Sequence, residues 1–592
     1  MSRETENILD KNIKDTDTWK ALNNGGWTDR RLAGSYECDS SKRNIEVKKA
    51  CVSEFGTYRV DLELVAKVNI ENMTVFAGRR NMLEQNIKIS AGGCFKRTFY
   101  IAVTPYIPAL SVKRYEDKTI YISYTHADLI SECEIKVQKE DVPVIWVAGD
   151  STLTDQNAGI PYYPYGSCAG WAQTLLRFTK RAAVCNLAHS GMTSNCFRDD
   201  GHFAIAKEMI KKGDLFIIQF GHNDQKRRNL QPFGGYAENL ENYVDEVKKL
   251  GAYPVICSPI SRIPALENDE YYSLLAPYRD ACEEVAKTHS VTFIDLHDHT
   301  FNKWIEFGDN TKDFFIPGDI THTNEYGALL IGTHFAKEFI KESDVLFDRK
   351  IIEEAYFKEF RISSDEKALP KEEPGFDIFS IEPPYVDIKE IPEYKDIKKA
   401  YKYCLLDPCV MYAHPYAVMP RAQLLMVMFK AFRMAGKRPY LNGFADISKF
   451  DWDAGYVQAL VDEDLIDEKT ICHDEVNGKK LFRPDDALTY AEFMSFIVRF
   501  LEKDKSERKN ITLEQALKKA YELRILGDIN FTKEGKKIFK GIKQNALNEK
   551  YEIATETYIS RAEVYMGLAR LMDIVGGVER KLPAGLDIHP VH

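Results

Sequence analysis

No run of about 18 apolar residues occurs anywhere in this sequence, so no segment reads as a membrane-spanning helix. Residues 1–20 are polar and charged and lack the apolar core of a secretory signal. For the chain as it stands the expectation is a cytoplasmic location. Long basic runs are missing too. With 80 Lys and Arg against 90 Asp and Glu, the net charge is −10, which gives a nucleic-acid partner no electrostatic support. Paired cysteines are also absent: the twelve cysteines form no CxxC, the closest two being Cys404 and Cys409. Several, such as Cys185 and Cys257, sit inside apolar runs, so buried free thiols are expected rather than a disulfide framework or a zinc site.

What is present is an ordinary globular mixture, 44% hydrophobic and 29% charged over 592 residues, enough for several cores. Residues 1–140 are rich in β-branched and aromatic runs such as YRVDLELVAKV and RTFYIAV, separated by turn residues, and a jelly-roll-like β-sandwich is expected there. From 141 to 345 the pattern changes. Short, largely apolar runs (VPVIWVA, AAVCNL, DLFIIQF, YPVICSPI, VTFIDL) alternate with amphipathic helical stretches, which predicts a parallel sheet covered on both faces. Residues 346–395, dense in Pro and Glu from about 362, are expected to form a linker. Residues 396–592 are helical and weakly repetitive. MPRAQLLMVMFKAF, LTYAEFMSFIVRFL and ISRAEVYMGLARLM place Arg421, Tyr490 and Arg561 at matching positions.

Four short blocks in the α/β region carry chemistry. Gly149-Asp150-Ser151-Thr152 follows an apolar strand, where active sites of parallel sheets form, and the turn can present the Ser151 hydroxyl. The block running from Asn186 to Gly191 and on to Ser194 follows the next strand; its glycine can bring a backbone N–H close to a ligand. Gly221-His222-Asn223-Asp224 follows another, and Asn223 can offer a side-chain amide. Asp319-Ile320-Thr321-His322 supplies a base with an acid three residues before it, able to fix its tautomer. Singly, each block has a plain structural alternative: a helix cap, a loop glycine, a turn, a chance DxxH. Together they provide nucleophile Ser151, base His322 and orienting acid Asp319. They also provide oxyanion donors in the Ser151 amide, the Gly191 amide and the Asn223 side chain. Beside the nucleophile, Tyr162-Tyr163-Pro164-Tyr165 offers rings that can stack on a sugar. His297-Asp298-His299 is expected to be a polar loop rather than a metal site, and Trp171 core or pocket wall.

These blocks resemble those that name the SGNH hydrolases. The longer strings VAGDSTLTDQ, NLAHSGMTSNCF, IQFGHNDQK and DITHTNEYGA are similar to the rhamnogalacturonan acetylesterase branch, carbohydrate esterase family twelve. The resemblance, over about 142–340, implies a flavodoxin-like three-layer α/β fold, no metal and no other cofactor. It also implies hydrolysis of acetyl esters on pectin-type carbohydrate. The branch often carries a basic residue after the second-block glycine, where this chain has Met192. The C-terminal repeats resemble S-layer homology units, whose TRAE motif is here PRAQ, TYAE and SRAE with Tyr490 in place of the usual Arg. That resemblance implies a cell-wall polymer as a partner and, against the missing signal, a cell-surface or secreted location. The alternatives in function are a deacetylase of cell-wall glycan and a non-catalytic, surface glycan-binding protein.

Overall fold

The structure, a computed structural model, describes residues 25–28, 45–108, 113–342 and 385–577 apart from short internal stretches, the longest being 467–474 and 533–551. The linker expected at 346–395 lies mostly outside the described residues. The chain divides into two compact units, with the boundary near residue 377.

The first unit begins with strands β1 (Trp27–Thr28), β2 (Glu46–Cys51), β3 (Gly56–Ala66), β4 (Ile70–Ala77), β5 (Asn81–Ile89), β6 (Cys94–Val103), β7 (Thr119–Tyr124) and β8 (Ile130–Lys139). It continues with β9 (Val144–Gly149), β10 (Ala158–Gly159), β11 (Ala183–Asn186), β12 (Leu215–Gln219), β13 (Tyr253–Cys257) and β14 (Thr292–Ile294). Helices α1 (His202–Met209), α2 (Ala237–Lys249), α3 (Ala276–His289), α4 (Leu296–Phe307) and α5 (Glu325–Glu342) alternate with the later strands.

The later strands are parallel, in the order β11-β9-β12-β13-β14. Counted from β9 this is the doubly wound order 2-1-3-4-5, whose reversal point lies between β9 and β12. Every residue of β9 is buried, because the sheet is covered on both faces. Ile145 and Val147 join a cluster with Leu175 and Phe335 on one side. Val144, Trp146 and Ala148 join Phe216, Tyr243 and Val247 on the other.

The N-terminal region is sheet-rich, and alternation explains it: in β3 Val60, Leu62 and Leu64 are buried between half-buried Arg59, Asp61 and Glu63. β2, β7, β4 and β5 form a four-stranded antiparallel sheet. β6, β3 and β8, in contrast, extend the parallel sheet. β6 joins β11 in parallel at Val184↔Ile101, and β3 then pairs antiparallel with both β6 and β8, giving eight strands in all. The sheet therefore runs across the division that patterning suggests at 140/141. Val60, Ile122 and Val147 share one apolar cluster, which is why the two regions form one compact unit.

The second unit is helical: α6 (Tyr394–Lys402), α7 (Arg421–Phe432), α8 (Ala454–Asp462), α9 (Tyr490–Leu501), α10 (Leu513–Glu522) and α11 (Arg561–Val575). The sequence repeat is a ring in space. The openings of α7, α9 and α11 are cross-linked by bridges Pro420↔Ala487, Thr489↔Tyr558 and Val418↔Ser560. The first residue of each helix bonds the third residue of the next. Arg421 Nε donates to Glu492 (2.9 Å), the Tyr490 hydroxyl to Glu563 (2.6 Å) and Arg561 Nη1 to Gln423 (2.8 Å). Among the described residues no helix is long and apolar enough to cross a membrane.

Candidate active site

The three sequence blocks that follow strands lie at the carboxyl ends of β9, β11 and β12, on either side of the reversal point of the sheet. β9 ends in a turn pinned from below. Buried Asp150 accepts from the Thr152 N–H (2.9 Å) and hydroxyl (2.7 Å). Gln219, at the end of β12, donates to the Thr152 hydroxyl (2.9 Å) and accepts from Trp171 Nε1 (3.0 Å). A Cβ on Gly149 would stand 2.7 Å from the Gln219 carbonyl, so only glycine lets β9 and β12 approach this closely.

On this turn the Ser151 hydroxyl lies 2.8 Å from His322 Nε2, and His322 Nδ1 lies 2.7 Å from Asp319 Oδ2. The other Asp319 oxygen accepts the N–H groups of Thr321 (2.6 Å) and His322 (3.0 Å), a turn that fixes the ring relative to the carboxylate. Burial alone would raise the Asp319 carboxyl. The charge of His322 and these hydrogen bonds outweigh it and hold the group well below the usual carboxylate range. An ionised Asp319 that accepts Nδ1–H leaves Nε2 as the acceptor for the serine proton.

The remaining blocks are bolted to this core. Gln156 Nε2 donates to the Ser151 carbonyl (2.9 Å) and the Ser190 hydroxyl (3.3 Å), setting the Gly191 loop beside Ser151. Gly191 has φ +84°, in the left-handed region, with nothing within 4 Å of where a Cβ would stand. Among the described residues, neither the Ser151 nor the Gly191 N–H donates a hydrogen bond. Asn223 Nδ2 donates to the Met192 carbonyl (3.0 Å), which orients the amide and leaves its second hydrogen for a ligand. Asn223→Ala is expected to lower kcat on a small acetyl ester about 10²- to 10³-fold with KM little changed, the loss that an oxyanion donor gives, since such a group acts on charge that develops in the transition state. Steady-state kinetics check this; a rise in KM alone would place Asn223 in ground-state binding.

Several residues in and beside these blocks hold them together in ways that their sequence does not mark. Asp224 accepts from Ser194 N–H (2.8 Å) and Gly221 N–H (3.1 Å), tying the second block to the third. Burial raises its carboxyl to about 6. Asn186 Nδ2 bridges the Leu153 carbonyl and Asp155, both at 2.7 Å. Nothing in the sequence around Gln156 marks its role. Tyr162 is not free to stack on a sugar: it is buried, edge-on to Trp27 (5.6 Å) and Phe76 (5.4 Å), because the loop after Ser151 packs on the N-terminal strands. Tyr163 and Tyr165 lie outside the described residues. His297 bonds Ser273 and Asp298 while His299 stacks on His334, so the two rings do not converge. Among the described residues no group of three His, Cys, Asp or Glu is placed to hold a metal ion. Cys185, Cys257 and Cys282 are buried free thiols, whereas Cys51 and Cys94 are exposed.

His189, in the second block, lies 4.9 Å from His202, ring to ring. Burial lowers both, His202 to about 3, and for His202 the nearby His189 and Arg79 add to the effect. The folded state thus keeps rings neutral that the unfolded chain protonates near pH ~6.5. Stability is complete above that value and is lost as pH falls from 6.5 toward the folded values. Thermal unfolding midpoints are expected to drop between about pH 7 and pH 5. The slope is expected to be smaller in His202→Phe, whose ring can keep the stack on Phe197.

Residues 147–329 match the profile of the GDSL-like lipase/acylhydrolase family. Rhamnogalacturonan acetylesterase RhgT of Bacillus subtilis (strain 168) is 32% identical over 199 residues, 33% of this chain and 83% of that protein. The probable rhamnogalacturonan acetylesterase YesY of the same strain is 27% identical over 220 residues, 36% of this chain and 98% of that one. Among solved structures, the YxiM protein of Bacillus subtilis is similar at a TM-score of 0.33 and 21% identity, over 54% of this chain and 95% of that one. The chain belongs to the GDSL-like lipase/acylhydrolase family and is a hydrolase of carboxylic esters.

Proposed function

We propose that this enzyme removes acetyl groups from carbohydrate, with acetylated rhamnogalacturonan-type pectin fragments as the substrate class. The observation that carries the catalytic part is the unbroken relay from Ser151 through His322 to Asp319. The Ser151 oxygen attacks the acetyl carbonyl carbon while His322 Nε2 takes its proton, and Asp319 stabilises the imidazolium. The carbonyl oxygen becomes an oxyanion facing the Ser151 and Gly191 N–H groups and the Asn223 amide. Collapse returns the proton from His322 to the departing sugar oxygen and leaves acetyl on Ser151. Water, deprotonated by His322, then releases acetate and restores the hydroxyl. The substrate class is supported by likeness to the rhamnogalacturonan acetylesterase of Bacillus subtilis.

Acetate release from a panel of acetylated rhamnogalacturonan, acetylated xylan and acetylated cell-wall glycan, at matched ester concentration, tests the assignment. Preference for the first supports it. Preference for wall glycan favours the wall-deacetylase alternative, and binding of any of the three without acetate release favours a non-catalytic surface protein. The C-terminal repeats bear on the same choice. Their recurrence supports a wall-polymer partner, yet Arg421 and Arg561, which the S-layer resemblance would assign to that polymer, are engaged by Glu492 and Gln423 within the ring.

A further inference from the structure

The triad stands on two separate loops. Ser151 is at the end of β9, while His322 is 171 residues later, before α5, and the 2.8 Å bond between them survives only while the loops stay in register. One buried side chain touches both, and it comes from outside the family match at 147–329. Arg80 lies in the turn between β4 and β5. It is 2% exposed and has φ +64°, a left-handed conformation unusual for a residue with a Cβ, so its surroundings must hold it there.

Toward the nucleophile, Arg80 Nε donates to the Gln156 carbonyl (2.9 Å), and the Gln156 side chain in turn holds the Ser151 carbonyl (2.9 Å). Toward the base, Arg80 Nη1 pairs with the Glu325 carboxylate and Nη2 donates to the Cys168 carbonyl. Both partners flank the histidine loop: Glu325 lies three residues after His322 and opens α5, and Cys168 bridges Asn324 while the Ala169 N–H donates to the Thr323 carbonyl (3.0 Å). Glu325 also accepts from the Tyr162 hydroxyl. The neighbouring Arg79 and Asn81 grip the same region, at Asp155 (3.6 and 2.9 Å). A planar guanidinium can fix several acceptors at once in a rigid geometry, which an ammonium cannot.

We propose that Arg80 is a positioning residue for catalysis, one guanidinium that clamps the nucleophile loop and the histidine loop together, so that the N-terminal strands are a working part of the hydrolase. The inference rests on the assignment of Ser151 and His322 as nucleophile and base. Arg80 touches no substrate, and its loss acts through the Ser151–His322 geometry.

Full-length Arg80→Lys, the double variant Arg80→Met/Glu325→Gln and Ser151→Ala test it on a small aryl acetate. Lys keeps a charge beside Glu325, and the double variant leaves no buried carboxylate unpaired, so each retains a folded chain by a different route. Both are expected to lose about 10- to 100-fold in kcat with KM within about twofold of the parent. Both are expected to react correspondingly more slowly with a phosphonate that labels Ser151, a rate that a merely structural role at preserved folding would not move. Parent kcat and labelling rates in both variants, with Ser151→Ala inactive, would overturn the role of Arg80 and leave the triad standing. Parent activity in Ser151→Ala would overturn the assignment of the site, and this inference with it.

Discussion

Ser151→Ala is expected to lower kcat for an acetyl ester by ~10⁴-fold or more while the protein stays folded. The substitution removes one oxygen. The turn survives because its fastenings belong to other atoms: Asp150 to Thr152, Gln219 to Thr152, and Gln156 to the Ser151 backbone carbonyl. The substitution takes away no group other than that hydroxyl, so glycan binding is expected to persist, and the variant should titrate an acetylated oligosaccharide without consuming it. Circular dichroism and the thermal midpoint check the fold, and steady-state acetate release checks the rate. A folded variant with parent turnover would remove Ser151 from the chemistry.

Asp319→Asn is expected to cost about 10⁴-fold in kcat for a different reason. An Asn side-chain oxygen can still accept the Thr321 and His322 N–H groups that now bond Asp319, so the loop is kept. Its NH₂ then faces His322 Nδ1, where the carboxylate oxygen now lies at 2.7 Å. Nδ1 becomes an acceptor and the proton moves to Nε2, so the ring can no longer take the proton of Ser151. The loss is expected across the whole neutral range, because the native carboxyl sits far below the usual range and stays ionised through mild acid. Kinetics from about pH 5 to 9 check this. A variant that recovers parent activity at any pH in that span would show that His322 does not depend on the Asp319 charge.

The residues of the candidate site were legible because chemistry and topology coincide locally. Three of the four blocks follow short, largely apolar strands, and His322 lies three residues from its acid, so each block announces itself without tertiary knowledge. The alternation in β3 and the uniform burial of β9 were likewise visible as half-buried and fully buried strands. Strand partnership was not. Nothing in the sequence of β6 distinguishes a strand that closes its own sandwich from one that lies against β11, since the pairing is made by backbone groups common to every residue. Arg80 was hidden for a related reason. Its acceptors are 76, 88 and 245 residues away, two of them main-chain carbonyls, and a lone arginine in a turn ordinarily points to solvent. Tyr162 is the converse case: an aromatic in the loop after Ser151 can serve as a sugar platform, and only the packing of Trp27 and Phe76 against it decides otherwise.

The proposed hydrolysis passes through a covalent acetyl-enzyme at Ser151. Rapid quenching of the full-length protein during turnover of an activated acetyl ester, followed by proteolysis and mass spectrometry, tests it most directly. The expected result is a single added acetyl group on the peptide that contains Ser151, formed within the first turnover and absent in Ser151→Ala. Acetyl found on another side chain, or steady turnover with none on Ser151, would rule out Ser151 as the nucleophile.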